Sequence, residues 1–236
     1  MRFSALIVAA GRGRRMGAGQ NKLLLPLAGE PVLCHTLRLF ERIPGIGELI
    51  LVISAADEPA LLPILRQRGT QCPLRLVYGG AERMDSVWQG LQAVTCPYVL
   101  VHDGARPLTP RRLILTLLER VKEMDAVIPA VPVKDTVKQV DERGFIVHTP
   151  VRERLRAAQT PQAFRTELLM AAYKKAMQSG GQFTDDASVM EWAGYPVAVI
   201  LGDEENIKLT VPQDMAVAEW IVRQRREAND AHRDRF

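Results

Sequence analysis

The sequence predicts an α/β protein built on a mostly parallel sheet with helices on both faces. Three observations lead there: six short apolar runs rich in branched residues, helical stretches between them, and glycine-bearing or charged loops directly after several of the runs. Continuous apolar runs suit strands covered on both sides, and their alternation with helices marks βαβ units. The chain is 236 residues long, 47% apolar and 25% charged, which is enough for one substantial core and too apolar for a disordered chain. We expect a single domain over residues 1–236, with an arm at about 134–156 and a frayed tail at about 224–236.

The first run, "ALIVAA" at 5–10, reads as the opening strand. It passes into "GRGRRMGAGQNK", where glycines and cations crowd together and no Asp or Glu occurs before Glu30. Glycines let backbone N–H groups approach an oxyanion, and cations add formal charge. Two familiar readings fail on spacing: Lys22 sits in "NKL" rather than the GK[ST] of a P-loop, and Met16 stands where a dinucleotide fold needs its third Gly or Ala. What remains is a phosphate cradle of another style or a solvated basic turn, and the loop alone leaves both open.

Leu33, Leu37 and Phe40 then share one helical face. Strands are expected at "LILVIS" (49–54) and "LRLVY" (74–78), the latter followed by "GGAERMDSV". There Gly79 and Gly80 precede a helix, with Val87 and Leu91 on its buried face and Arg83 and Ser86 at its start, where free N–H groups favour anions. "YVLVHD" (98–103) brings Asp103 to a strand end, placed for a divalent cation, with Arg106 beyond it in "GARP". His102 points away from Asp103 if the strand alternates, and His35 lies beside core positions of a helix, so both histidines read as structural. "AVIPAVPV" (126–133) is the fifth strand.

From 136 to 149, "TVKQVDERGFIVHT" alternates around "DERG", the pattern of a hairpin turning at Gly144. A lone hairpin is marginal in water, so a second subunit is its expected support. The sixth strand, "VAVIL" (197–201), precedes "NIKLT", which offers Lys208 just before a last helix. Sheets of this type bind ligands at the carboxyl ends of their strands, where these loops all fall.

The net charge of +4 comes from the first loop and from Arg and Lys scattered over otherwise balanced helices, and a small polyanion explains it as well as nucleic acid does. Cys34, Cys72 and Cys96 are odd in number and far apart, so neither a disulfide framework nor a zinc site is expected. No apolar run nears the roughly 20 residues needed to cross a bilayer, and the start lacks a signal cleavage site. We expect a cytoplasmic protein without membrane or nucleic-acid partners.

Taken in order, "AAGRGRRM…NK", "GGAERMDSV", "VHDGARP", "PVKDTVK", "TPQAF", "TDDAS" and "ENIKLT" resemble the methylerythritol-phosphate cytidylyltransferases of the non-mevalonate isoprenoid pathway, over about residues 5–220. The resemblance implies a Rossmann-like nucleotidyltransferase sheet and the joining of CTP to 2-C-methyl-D-erythritol 4-phosphate. It implies that Ala9, Ala10, Gly11, Gly13, Gly80, Arg83, Ser86, Asp103 and Gly104 bind CTP, and that Lys22, Arg15 and Lys208 stabilise charge in catalysis. Asp103 would lie beside a Mg²⁺ carried mainly by the CTP phosphates. Arg106, Thr136, Arg152, Thr184 and Lys208 would surround the polyol phosphate, with Thr136 and Arg152 lent across a homodimer by the hairpin arm. The sequence departs from the family pattern at Ala81, where an acidic residue is common, and at Gly104, where alanine is usual. Both touch the nucleotide side.

In the reaction so implied, two anions must meet. Unit like charges about 4 Å apart repel by roughly 4 kcal/mol at an effective dielectric of 20, so cations matter more than a side-chain nucleophile. Two other readings share part of the pattern. A ribitol-5-phosphate cytidylyltransferase would differ only in the polyol pocket, and a non-catalytic nucleotide-binding module would not need cations for two separate phosphates.

Overall fold

The structure, a computed structural model, describes residues 1–11 and 21–233. Gly13 and Arg15 lie outside the described residues. In chain order the elements are β1 (Phe3–Val8), the two-residue strands β2 (Pro26–Leu27) and β3 (Glu30–Pro31), α1 (Val32–Glu41), β4 (Ile46–Ile53), α2 (Glu58–Arg68), β5 (Leu74–Tyr78), α3 (Arg83–Leu91) and β6 (Tyr98–Asp103). There follow α4 (Arg111–Met124), β7 (Ala126–Pro132), β8 (Gln139–Val140), β9 (Ile146–His148), β10 (Arg156–Ala158), β11 (Gln162–Arg165), α5 (Thr166–Ser179), α6 (Asp186–Trp192), β12 (Ala198–Leu201) and α7 (Pro212–Arg233).

The main sheet has eight strands in the order β10-β7-β11-β6-β1-β4-β5, with β12 paired to β7. β1 is parallel to β4 and β6, β4 to β5, and β12 to β7. β11 runs antiparallel to both β6 and β7, so β7 shares the direction of β6. The six apolar runs of the sequence are thus the six parallel strands. The antiparallel pair β10 and β11 is an addition to them. "RAA" and "QAFR" are too short and too poor in branched residues to read as strands, and Pro161 stands just before the second.

Side-chain alternation sorts the core into two layers. Ala5, Ile7, Leu49, Leu51 and Leu100 face the layer filled by α1, α2, α4 and α7, while Leu6, Ile50, Val52, Val99 and Val101 face α3, α5 and α6. Along β6 this places His102 on the first side, edge-on to Phe40 with ring centroids 5.2 Å apart, and leaves Asp103 facing α3 and α6. Cys34, Cys72 and Cys96 are free thiols. His35 sits in α1 with Nε2 2.7 Å from the Leu27 carbonyl.

β8 and β9 form the expected hairpin, closed by the Gly144 N–H on the Asp141 carbonyl and by Asp141 Oδ1, which accepts from the N–H of Arg143 and Phe145. Gly144 adopts φ +83°, which glycine takes without strain. Val137, Val140, Phe145, Ile146 and Val147 are all exposed. α7 runs to Arg233, and Arg225 within it pairs with Glu205 at 2.7 Å. No described helix is long and apolar enough to cross a membrane.

Candidate active site

The ends of four strands are held level by the residue that follows each of three of them. The N–H of Ala9 donates to Val52, that of Gly79 to Ile53 and that of Gly104 to Val8, at 2.7, 2.9 and 2.9 Å. The backbone after β5 passes hard against its neighbours. A Cβ on Gly79 would stand 2.7 Å from the Ala10 Cβ, and one on Gly80 2.2 Å from the Asp85 Cβ, so only glycine fits this approach. Ser86, near the start of α3, accepts the Gly80 N–H at 3.2 Å. Ala9, Ala10, Gly79, Gly80 and Ser86 therefore form one continuous floor.

Asp103 stands over that floor and collects the cations. Lys208 Nζ lies 2.7 Å from its Oδ2, and Arg83 Nε 3.4 Å from Oδ1. Burial alone would raise the Asp103 carboxyl, but the Arg83 and Lys208 cations outweigh it and hold it well below the usual carboxylate range. Arg83 is gripped from the other side by Asp186, at 3.2 and 2.8 Å from its two terminal nitrogens. Asp186 is fully buried and also accepts the Tyr173 hydroxyl at 2.6 Å. Burial disfavours the Arg83 cation, yet these two carboxylates hold its pKa above the ordinary arginine value.

Arg106 leads toward a second space. Its Nη1 donates to the Asn206 carbonyl at 2.6 Å, while its Nε is buried without a partner, and burial lowers its pKa. Arg106, Lys134, Lys208, Glu204, Gln159 and Asn206 are among the residues lining a cavity of about 370 Å³, which adjoins Asp103 through Lys208 and in which Lys134 is paired with Glu204 at 2.7 Å. Lys208 is set there by the residues around it. Asn206 is fully buried, takes the Thr109 hydroxyl at 2.8 Å and donates to the Thr160 carbonyl at 2.9 Å, while Leu209 N–H donates to Ala105 at 2.9 Å. Lys22 joins the same segment, with Nζ 2.6 Å from the Leu209 carbonyl. Its short helical turn is capped by Asn21, which accepts the Leu23 N–H at 3.0 Å and donates to Asp57 at 2.8 Å.

Of the residues singled out from sequence, Ala9, Ala10, Gly80, Arg83, Ser86, Asp103, Gly104, Arg106, Lys208 and Lys22 meet at this end of the sheet. Gly11 is exposed at the edge of the described segment. Thr136, Arg152 and Thr184 are exposed, and among the described residues none of the three bonds to the Asp103 cluster. Arg152 donates instead to the Lys134 carbonyl at 3.2 Å, at the base of the arm. Residues outside the candidate set complete the site: Asp186, which the sequence offered only with Thr184 and Asp185 toward the polyol, Tyr173, Asn206 and Thr160, whose hydroxyl oxygen lies 3.1 Å from the Asp103 N–H and 3.0 Å from His102 Nδ1. Asp186, Asn206 and Thr160 sit inside motifs quoted above, which was their only signal.

His102 is wholly buried, and burial pushes its imidazole down to about 4. Among the described residues no three His, Cys, Asp or Glu side chains gather as a metal site. The arrangement is thus a close-packed strand-end floor beside one carboxylate, with four cations from distant segments and a second, largely cationic cavity adjoining it.

Comparison with known proteins gives the same picture. The family model described as 2-C-methyl-D-erythritol 4-phosphate cytidylyltransferase matches residues 3–224. A protein of that name from Bacillus licheniformis is 47% identical over 223 residues, covering 94% of this chain and 96% of that protein. Another from Alkaliphilus metalliredigens is 44% identical over 229 residues, covering 96% and 95%. Among solved structures, the 4-diphosphocytidyl-2C-methyl-D-erythritol synthase of Anaerococcus prevotii superposes with a TM-score of 0.83 at 35% identity, covering 94% of this chain and 98% of that one. The 2-C-methyl-D-erythritol 4-phosphate cytidylyltransferase of Thermus thermophilus does so at 0.78 and 34%, covering 94% and 100%.

Proposed function

The chain belongs to the 2-C-methyl-D-erythritol 4-phosphate cytidylyltransferase family, and from that premise we propose how its strand-end site joins CTP to 2-C-methyl-D-erythritol 4-phosphate. A phosphate oxygen of the polyol phosphate attacks the α-phosphorus of CTP and forms the new P–O bond. The bond from that phosphorus to the bridging oxygen breaks, and pyrophosphate leaves with the electron pair. The product is 4-diphosphocytidyl-2-C-methyl-D-erythritol. A phosphate monoester is already ionised near neutral pH, so no general base is required.

The observation that carries this reading is the pairing of Asp103, at the strand-end floor, with Lys208, which lines the adjoining cavity, at 2.7 Å. CTP lies on the floor of Ala9, Ala10, Gly80 and Ser86, its phosphates in the loop through Gly11, Gly13 and Arg15 to Lys22, and Arg83 and Gly104 border it. The polyol phosphate enters the cavity of Arg106 and Lys208, and the family resemblance adds Thr184 as a contact. Lys22 and Lys208 stabilise the charge of the five-coordinate phosphorus, a role the family resemblance also assigns to Arg15, and catalysis is positioning plus charge stabilisation.

The donor set suits a magnesium ion that arrives on the nucleotide. Asp103 is one hard oxygen donor, and magnesium takes one or two carboxylates together with substrate phosphates. When bound, the ion supplies further neutralisation at the reacting phosphates.

The chain works as a single domain in the cytoplasm and as a homodimer through its arm. The apolar side chains of that hairpin are exposed, and a hairpin of this size lacks the means to stay ordered alone. Thr136 and Arg152 then serve the partner's site. Pyrophosphate release from CTP, measured with 2-C-methyl-D-erythritol 4-phosphate and then with ribitol 5-phosphate, tests the substrate. Release with the first compound is expected, and release with ribitol 5-phosphate alone would refute the reading.

A further inference from the structure

His102 stands one residue before Asp103, yet the reaction as described makes no use of it. Its ring is inaccessible to solvent, so it touches neither substrate. Both ring nitrogens are nevertheless engaged. Nε2 lies 3.0 Å from the Arg106 carbonyl, and Nδ1 lies 3.0 Å from the Thr160 hydroxyl. A carbonyl only accepts, so Nε2 carries the proton and Nδ1 is the acceptor. The Thr160 hydroxyl therefore spends its one proton on Nδ1. Its oxygen remains free to accept, and the Asp103 N–H donates to it at 3.1 Å.

The directions of these bonds are mutually fixed. Asp103 N–H donates to Thr160, Thr160 donates to His102, and His102 donates to Arg106. One ring thus ties down the backbone of the residue that gathers the cations and the backbone of the residue that lines the second cavity. The edge-on contact with Phe40 holds the ring plane, which keeps both nitrogens aimed.

We propose that His102 is a positioning residue for cytidylyl transfer: in its Nε2-protonated form it sets the Arg106 backbone directly and the Asp103 backbone through the Thr160 hydroxyl. The proposal rests on the cytidylyltransferase reading of the site. A ring that merely filled space would need neither nitrogen matched to its partner.

Two replacements separate the two bonds. His102→Gln places an amide nitrogen near the Nε2 position and keeps a donor for Arg106, whereas His102→Asn places an amide oxygen near Nδ1 and keeps an acceptor for Thr160. Loss of one aligned hydrogen bond should change the affected constant by about tenfold. His102→Asn should raise KM for the polyol phosphate with KM for CTP nearly unchanged, and His102→Gln should lower kcat with KM for the polyol phosphate nearly unchanged. Folded variants that keep wild-type constants, or that lose activity without this split, would overturn the proposal.

Where neither variant folds, the chain is tested from its other end. Thr160→Ser should keep kcat and Thr160→Val should lose it, while equal behaviour of the two would overturn the proposal. Nitrogen-15 spectra of the wild-type protein read at His102 decide without any substitution, because a proton on Nδ1 would contradict the assigned directions. Failure of the wild-type enzyme to release pyrophosphate would refute the cytidylyltransferase reading instead, which keeps the two failures distinct.

Discussion

A guanidinium held between carboxylates on different elements cannot swing without leaving one of them bare, and Arg83 is held this way between Asp186 and Asp103. Asp186→Ala should therefore destabilise the free protein by about 3–5 kcal/mol, because it removes the buried carboxylate that takes both terminal nitrogens of Arg83 and leaves that guanidinium only its longer contact with Asp103. Tyr173→Phe removes only the hydroxyl donor on the same carboxylate and should cost about 1.5–3 kcal/mol. Urea denaturation of both variants checks the order, and a larger loss from Tyr173→Phe would mean that Asp186 is not what anchors Arg83. The metal follows from the same residues. With Asp103 already facing Lys208 and Arg83, and no three-ligand group among the described residues, Mg²⁺ should bind the free protein weakly and tightly only with CTP. Calorimetry that finds tight Mg²⁺ binding without nucleotide would contradict this. Arg83, Ser86, Asp103 and Lys208 were legible in the sequence because each is charged or polar and lies at a strand end or in the loop or helix start that follows one. Asp186 was not legible as the partner of Arg83, because the two are 103 positions apart and a carboxylate at a helix start reads first as a cap.

The sheet is pinned at the opposite ends of its strands by another buried carboxylate. Glu48 in β4 accepts the Ser4 hydroxyl of β1 at 2.7 Å and both the N–H and hydroxyl of Thr95, before β6, at 2.7 Å each. Burial alone would raise its pKa, but the hydrogen bonds from Thr95 and Ser4, with Arg75 nearby, hold it below the ordinary glutamate value. The folded-state pKa is the lower one, so the stability Glu48 supplies is complete above the ordinary value of about 4.3 and drains away as pH falls through and below it. Glu48→Gln can keep an oxygen on Ser4 and Thr95 but loses the negative charge and turns its amide nitrogen toward Arg75, and should lower unfolding free energy near pH 7 by about 1–3 kcal/mol, with kcat unchanged. The gap to wild type should narrow as pH drops below about 4. Denaturation midpoints across pH would sink the argument if the gap stayed constant. At this scale the sequence was most informative where strands are covered on both faces, since each then needs an unbroken apolar run. β10 and β11 escaped because their hydrogen bonds to β7 and β6, not their side chains, make them strands.

For the molecule as a whole, the arm decides whether a site is complete within one chain. Its apolar residues were legible as a hairpin, and their exposure here leaves them unburied by their own chain. Lys22 lies with the Lys208–Leu209 segment, whereas Arg152 stays at the base of the arm on the Lys134 carbonyl. If the arm serves the neighbour, each site combines Lys22 of one protomer with Arg152 of its partner. Suppose Lys22→Met and Arg152→Met are each inactive, and the two are co-expressed so that dimers form at random. Half the dimers are then mixed, and each mixed dimer carries one site with both defects and one with neither. Activity should return to roughly one quarter of wild type, as shared sites across a two-fold axis require. If both residues served the same site from one chain, every site would carry a defect and the mixture would stay dead. Differential tagging to confirm the mixed dimers makes an inactive result decisive against the shared site, while the cytidylyltransferase assignment, which rests on the strand-end cluster and the family match, would be untouched.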